Sequence, residues 1–361
     1  MGYVPYETFT SVIPDPTTAE WALIVVIVLA RLLVPLLIPR CELVIVVALV
    51  LDAVDNSLLA AFTDVDLGPD GPYQSVDKAL DIYYLAIAYA AMLRNWTSHA
   101  AFRIGQVLFY YRLVGVLAFE LLDDRAMLIV FPNTFEYFFI VYALIALRWE
   151  PSSWSPRFWL WTAIVLWVCV KLPQEYWIHI AQLDFTDAVG DHPWFGVASV
   201  LGLLALAALF WFAGRPRMPA PDHAVRFAAA HIPDRGQRPG GWRWSEIAEK
   251  TALLGLISVV FAHILPDVST SALDVSTGIA LIVIANTAIS LRWTSLEFGA
   301  LLVTNLGLIY VLSRFFSPAE NFPLGTALFF AFLIALLISL YDRYKPIHDA
   351  RFASMSASTS R

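Results

Sequence analysis

A chain of 361 residues that is 59% hydrophobic and only 15% charged, with a mean hydropathy of +0.67, describes a protein whose solvent is mostly lipid rather than water. Its 23 Lys and Arg against 30 Asp and Glu leave a net charge of −7, which makes nucleic acid and anionic surfaces poor partners. Cys41 sits beside a helix end and Cys169 inside an apolar run, so neither a disulfide nor a zinc or iron–sulfur spacing is expected.

Crossing ~30 Å of hydrocarbon as a helix takes roughly 20 apolar residues, because every backbone polar group must be satisfied within the segment. About eleven runs meet that requirement in chain order: Trp21 to Pro39, Leu43 to Phe62, Lys78 to Leu93, His99 to Leu121, Ala126 to Leu147, Phe158 to His179, Phe195 to Ala213, Glu246 to Leu265, Asp274 to Leu291, Ser295 to Ser313 and Leu324 to Tyr341. The third is short and borrows apolar residues from its flanks. No alternating ten-residue pattern of a strand barrel is present, and runs such as Leu203 to Phe212 are apolar on every face. The expected fold class is therefore all-α, a polytopic transmembrane bundle.

Basic residues fix the expected orientation, since retained loops carry the Lys and Arg excess. Of the 23, the loops after helices 1, 3, 5, 7 and 9 and the C-terminal tail hold 15, the opposite loops hold Arg125 and Arg314, and the other 6 lie within spans. This alternation places the N-terminus outside and the C-terminus in the cytoplasm, as a multi-pass protein of the cell membrane. Residues 1 to 20 lack the basic region of a removable signal peptide and carry Glu7, Asp15 and Glu20 instead. The outer loops are acidic, with Asp64, Asp66, Asp70 and Asp77 in one and Asp184, Asp187 and Asp191 in another. They read as a solvated surface or a cation-concentrating vestibule.

Four regions follow: residues 1–213 with seven helices, a basic Pro/Gly-rich cytoplasmic linker at 214–245, residues 246–341 with four helices, and a cytoplasmic tail at 342–361. Within the linker, His223 to Ile232 is a candidate interfacial helix, although its arginines serve equally as a topology anchor. The motifs Leu93-Arg94-Asn95-Trp96-Thr97-Ser98, Leu147-Arg148-Trp149 and Leu291-Arg292-Trp293-Thr294-Ser295 echo one another where helices reach the cytoplasm. Headgroup anchoring by Arg and Trp accounts for them at least as well as duplication does.

Ionisable groups inside hydrocarbon cost a few kcal/mol each and are the default functional candidates. They concentrate in the N-terminal half. At ~1.5 Å per residue, Arg31 on helix 1 and Asp52 on the antiparallel helix 2 are expected to meet near mid-membrane as a structural ion pair. Asp52, Asp55 and Asn56 share one face of helix 2, while Asn133 and Glu136 share a face of helix 5 beside Pro132. Helix 6 brings Lys171, Gln174, Glu175 and His179 around Pro173, and Asp81 and Arg112 lie in the outer halves of helices 3 and 4.

Together these residues are expected to line an outward-opening acidic cavity. Five carboxylates (Asp52, Asp55, Asp81, Glu136, Glu175) against Arg31, Arg112 and Lys171 suit a cation, a proton relay or a small zwitterionic solute. The competing reading makes Arg31 with Asp52, Arg112 with Glu136 and Lys171 with Glu175 structural pairs, which leaves Asp55, Asn133, Gln174 and His179 unaccounted for. Metal is not expected: neither Asp52/Asp55 nor Glu175/His179 has HExxH or HxxxH spacing. Lys171 alone does not define a retinal pocket, so no cofactor follows. Nor is there a glycine-rich phosphate loop or a Ser-centred elbow. The pattern favours a permease or channel-like protein over a membrane-embedded enzyme acting on lipid, or a structural subunit that meets protein partners through its apolar C-terminal half.

Overall fold

The computed structural model describes residues 17–63, 72–122, 126–177, 188–190, 192–229, 244–264 and 324–359, with short helical pieces at 283–284, 303–304 and 307. Every regular element among them is helical. Helix α1, Thr18–Leu33, opens with a capping box in which Thr17 and Glu20 satisfy each other's backbone N–H. Pro35 tightens its end into a 3-10 turn, Val34–Leu37. Helix α2, Val44–Phe62, ends where Thr63 folds its N–H and hydroxyl back to Leu59 O, at 2.8 and 2.7 Å.

The third run is longer than its apolar core suggested. Helix α3 spans Pro72–Asn95, 24 residues, and from Leu80 to Leu93 only Asp81 escapes burial. It is the central helix, touched by α1, by α2, by α4 (His99–Leu122), and by α10 (Trp244–Ile264) and α11 (Leu324–Thr359) from the C-terminal region. Aromatic side chains fill the space beside it: Trp96 stacks on Tyr142 with centroids 3.8 Å apart, and Phe109 stacks on Tyr89 at 4.6 Å.

Two proline positions break expected spans. Helix α5, Ala126–Val130, stops before Phe131-Pro132-Asn133, and α6, Thr134–Ala146, starts afresh, because Pro132 supplies no N–H to continue the ladder. The Pro132 carbonyl accepts from Thr134 N at 2.8 Å. Helix α7, Pro156–Val165, widens into a π-helix at Leu166–Lys171 just ahead of Pro173, then closes with one α turn, α8, Leu172–Glu175. A π-bulge at this position accommodates the carbonyl that the proline leaves without a donor.

Helix α9, Pro193–Leu209, runs through a second π stretch, Phe210–Gly214, into the linker. The linker residues 222–229 are not helical as the interfacial reading expected. They form an extended strap whose Asp222 N, Arg226 N and Ala229 N donate to Arg148 O, Leu147 O and Arg40 O, at 3.0, 3.0 and 2.8 Å. Helix α11 does not stop at Tyr341 but continues through Pro346 to Thr359. Eleven α-helical segments thus lie among the described residues, yet they are not the eleven expected runs: two of those runs are split or interrupted at proline, and the runs Asp274 to Leu291 and Ser295 to Ser313 fall outside the described residues except at 283–284, 303–304 and 307. Two helices, Thr18–Leu37 and His99–Phe119, are long and apolar enough to cross a membrane by length and composition.

Candidate functional site

Three helices meet at Arg31, which is buried in α1. Its Nη1 donates to Asp55, its Nη2 to Asp52, and the same Nη2 reaches Asp81 at 2.7 Å. The residue spacing explains the geometry: Asp52 and Asp55 are three residues apart on the α2 face turned toward α1, and Asp81 occupies the N-terminal half of the neighbouring α3. The Arg31–Asp52 contact is the one expected from depth. Asp55, however, was expected to lack a partner, and it is instead held on Arg31, because helix rotation brings both carboxylates of the stripe onto the guanidinium fork. Asp55 is sealed, at 1% side-chain exposure, whereas Asp52 and Asp81 stand at the edge of the cluster, at 25% and 37%.

A second group lies along α3 from the first. Tyr84 donates to Glu136 Oε1 at 2.6 Å, and Glu136 Oε2 accepts from Asn133 Nδ2 at 3.1 Å. Lys171 Nζ lies 3.9 Å from the same Glu136 oxygen and 4.3 Å above the Tyr137 ring. Glu175 Oε1 accepts from Asn133 N at 3.3 Å, and Gln174 Oε1 from Tyr137 OH at 3.3 Å. The break at Pro132 makes this possible, since an uninterrupted helix would consume the Asn133 N–H in its own ladder.

Of the expected structural pairs, Arg31 with Asp52 is present. Lys171 pairs with Glu136, and Arg112 donates instead to Phe131 O at 3.3 Å, stabilising the broken segment. Asn133 Oδ1 and Thr134 Oγ1 are buried without a hydrogen-bond partner among the described residues. The side chain of Asn56 and all of His179 lie outside the described residues, as do the outer-loop carboxylates at 64, 66, 70, 184, 187 and 191.

Charge is distributed unevenly between the groups. Around Arg31 three carboxylates face one guanidinium, while Glu136 and Glu175 are set against Lys171 with Arg112 close by. If all are ionised, the two excess negatives sit entirely at the Arg31 end, where Asp52 and Asp81 are also the accessible members.

Two further groups were not singled out by sequence. Near the end of the bundle that carries the basic loops, Lys250 meets Asp342 at 2.6 Å and Lys345 meets Glu249 at 3.0 Å, tying α10 to α11. Beside them a cavity of about 190 Å³ opens between the Glu42 turn, the end of α3, the end of α6 and the linker strap. Arg351 on the extension of α11 closes the end of α3 by donating to Trp96 O at 2.7 Å and Arg94 O at 2.9 Å. Burial pushes the Glu42 carboxyl up to about 7, against hydrogen bonding from the Asn95 and Trp96 side chains and the charges of Arg94 and Arg351. The only sequence signal for this region was the echo of Arg-Trp motifs: Arg94, Asn95 and Thr97 from one copy and Leu147 and Trp149 from another line the same cavity.

No family model, no curated protein and no solved structure matches the chain.

Proposed function

We propose that the chain is a multi-pass protein of the cell membrane, with about eleven transmembrane helices, the N-terminus outside and the C-terminus cytoplasmic, acting as a permease or channel-like pathway for a cation, a proton or a small zwitterionic solute. The apolar exteriors of α1 and α9 support a lipid surrounding: Val25, Val26, Leu29 and Leu33 on one and Val197, Val200, Leu201 and Leu204 on the other are exposed, in contiguous stretches that water would penalise. The observation that carries the functional reading is the Arg31 cluster. It gathers three carboxylates on one guanidinium, and two of the three are open at the edge.

In this reading Asp52 and Asp81 meet the solute, Arg31 and Asp55 form the fixed floor, and the Tyr84–Glu136–Lys171 group continues the polar path along α3. The protein's contribution is positioning and charge alone. A structural ion-pair network would more commonly balance its charges, as buried charges without compensation are costly.

Reconstitution into liposomes containing a pH-sensitive dye, challenged with monovalent and divalent salts, tests this function. Wild type should carry flux that Asp52→Asn and Asp81→Asn reduce. Absence of flux from wild type across the panel overturns the reading of an autonomous cation pathway, and flux unchanged in both variants discards the site. Topology is tested separately by single-cysteine accessibility in intact cells: a cysteine at Pro69 should label from outside and one at Gln237 should not.

A further inference from the structure

Polar and aromatic groups alternate along the line where α3 meets α6. Tyr84 donates to Glu136 at 2.6 Å. From Glu136 to Tyr142 is about 9 Å of helix, and aromatic rings fill it. Trp96 packs on Phe138 and Phe139, with centroids 6.0 and 5.5 Å apart, and stacks on Tyr142. Past this plug Tyr142 OH accepts from Thr97 N at 2.9 Å, and Tyr142 and Ala143 line the cavity of about 190 Å³. A solute leaving the Glu136 group in that direction would enter this space next.

One wall of that space is the linker strap, through His223, Arg226, Phe227, Ala228 and Ala229. The strap runs from the end of α6, where Asp222 N and Arg226 N reach Arg148 O and Leu147 O, to the turn between α1 and α2, where Ala229 N reaches Arg40 O. Two side-chain ties add to these: Asp222 Oδ2 accepts from Glu150 N at 2.8 Å, and Pro219 O from Trp149 Nε1 at 3.0 Å. Apolar burial contributes little, since Val225 and Phe227 are exposed, as are Arg226 and Ala228. A segment held by exposed hydrogen bonds with few buried contacts opens at far lower cost than the helices it bridges.

We propose that the strap 222–229 is the cytoplasmic gate of the solute pathway: latched, it bars the cavity, and its release from Leu147, Arg148 and Arg40 opens the cavity toward the cytoplasm. The gate rests on the permease reading and its topology. Outer carboxylates, aromatic plug and latched strap then stand in series along α3, so a solute held at Asp52 and Asp81 has no way through until plug and strap move.

Two measurements on the full-length protein separate the gate from the pathway. In the first, Ala143→Cys is placed at a buried position on the cavity in a Cys41→Ser, Cys169→Ser background, and its labelling by a small charged methanethiosulfonate is timed in detergent with and without Asp222→Ala. Loss of the tie from Asp222 to Glu150 N should raise the open population, and with it the labelling rate, roughly tenfold, the worth of one hydrogen bond to a charged group. Ala163→Cys, buried on α7 away from the cavity, should label no faster. Unchanged labelling at Ala143→Cys, or equal acceleration at both positions, overturns the gate. In the second, Ala229→Cys with Cys169→Ser sets a thiol beside native Cys41, next to the Arg40 carbonyl that Ala229 N reaches at 2.8 Å. A short bis-maleimide joining the pair in proteoliposomes should cut flux at least roughly tenfold, by denying the strap the release that the missing tie promotes. N-ethylmaleimide, which caps both thiols without joining them, should not. Failure of the pair to crosslink refutes the strap's placement. Flux that survives a crosslink confirmed by mass spectrometry, or that N-ethylmaleimide stops equally, overturns the gate and leaves the permease reading standing. Absence of flux from the unlinked protein overturns that reading instead, and the labelling rates then decide by themselves whether the strap is a lid on the cavity.

Discussion

Arg31 and Asp52 offer the sharpest test of the site, because their substitutions should behave oppositely although the two side chains touch. An ion pair at ~4 Å is worth about 4 kcal/mol at an effective dielectric constant near 20. Two carboxylates three residues apart on a helix, at ~5.5 Å, repel by about 3 kcal/mol on the same scale. Asp52→Asn therefore gives up about 4 kcal/mol with Arg31 but is relieved of about 3 against Asp55 and of a further part against Asp81, a net change within about 1 kcal/mol of zero. Arg31→Met removes the guanidinium that three adjacent carboxylates share, one of them sealed, and should cost at least about 3 to 5 kcal/mol. Adding Asp55→Asn to Arg31→Met should recover part of that loss, since it removes the one carboxylate that water cannot reach. The assay is the thermal midpoint of detergent-solubilised protein followed by size-exclusion chromatography with fluorescence detection. Asp52→Asn as damaging as Arg31→Met, or losses strictly additive in the double variant, would refute an over-subscribed guanidinium. The expected near-neutrality of Asp52→Asn also means that a loss of flux in that variant reports on charge rather than on folding.

Glu42 should impose a pH slope on stability. Its carboxyl titrates at an ordinary 4.5 when unfolded and near 7 when folded, so stability should fall as pH rises between those values, by up to about 3 kcal/mol in total, and Glu42→Gln should flatten the slope in midpoints measured from pH 4 to 8. An identical slope in the variant would place the titration elsewhere. A methyl group at Gly115 would lie 2.0 Å from Phe131 Cβ, so Gly115→Ala should cost about 1 to 3 kcal/mol by forcing α4 away from the Pro132 break; an unchanged midpoint would show that the two segments do not pack as described. Arg351→Ala should lower the midpoint by the loss of two charge-assisted hydrogen bonds to the end of α3, about 2 to 4 kcal/mol, and Arg351→Lys should not restore it, because an ammonium cannot span both carbonyls.

Much of this arrangement is written into the chain one helix at a time. Apolar runs and their prolines determine that the protein is helical and where its helices break: Pro132 removes a donor and Pro173 follows a π stretch whatever packs nearby. Counting residues from the helix ends also brings Arg31 and Asp52 to one depth, because the rise per residue is fixed. What the linear sequence lacks is the rotation of each helix about its axis and the identity of its neighbour. Those decided that Asp55 and Asp81 join Asp52 on Arg31, that Lys171 lies against Glu136, and that α10 and α11 pack on α4 and α3. The cavity beside Glu42 was least legible of all. Its walls come from the α2 entry turn, the ends of α3 and α6, the linker strap and the far end of α11, and only tertiary packing brings segments up to some 300 residues apart together around the Glu42 carboxyl.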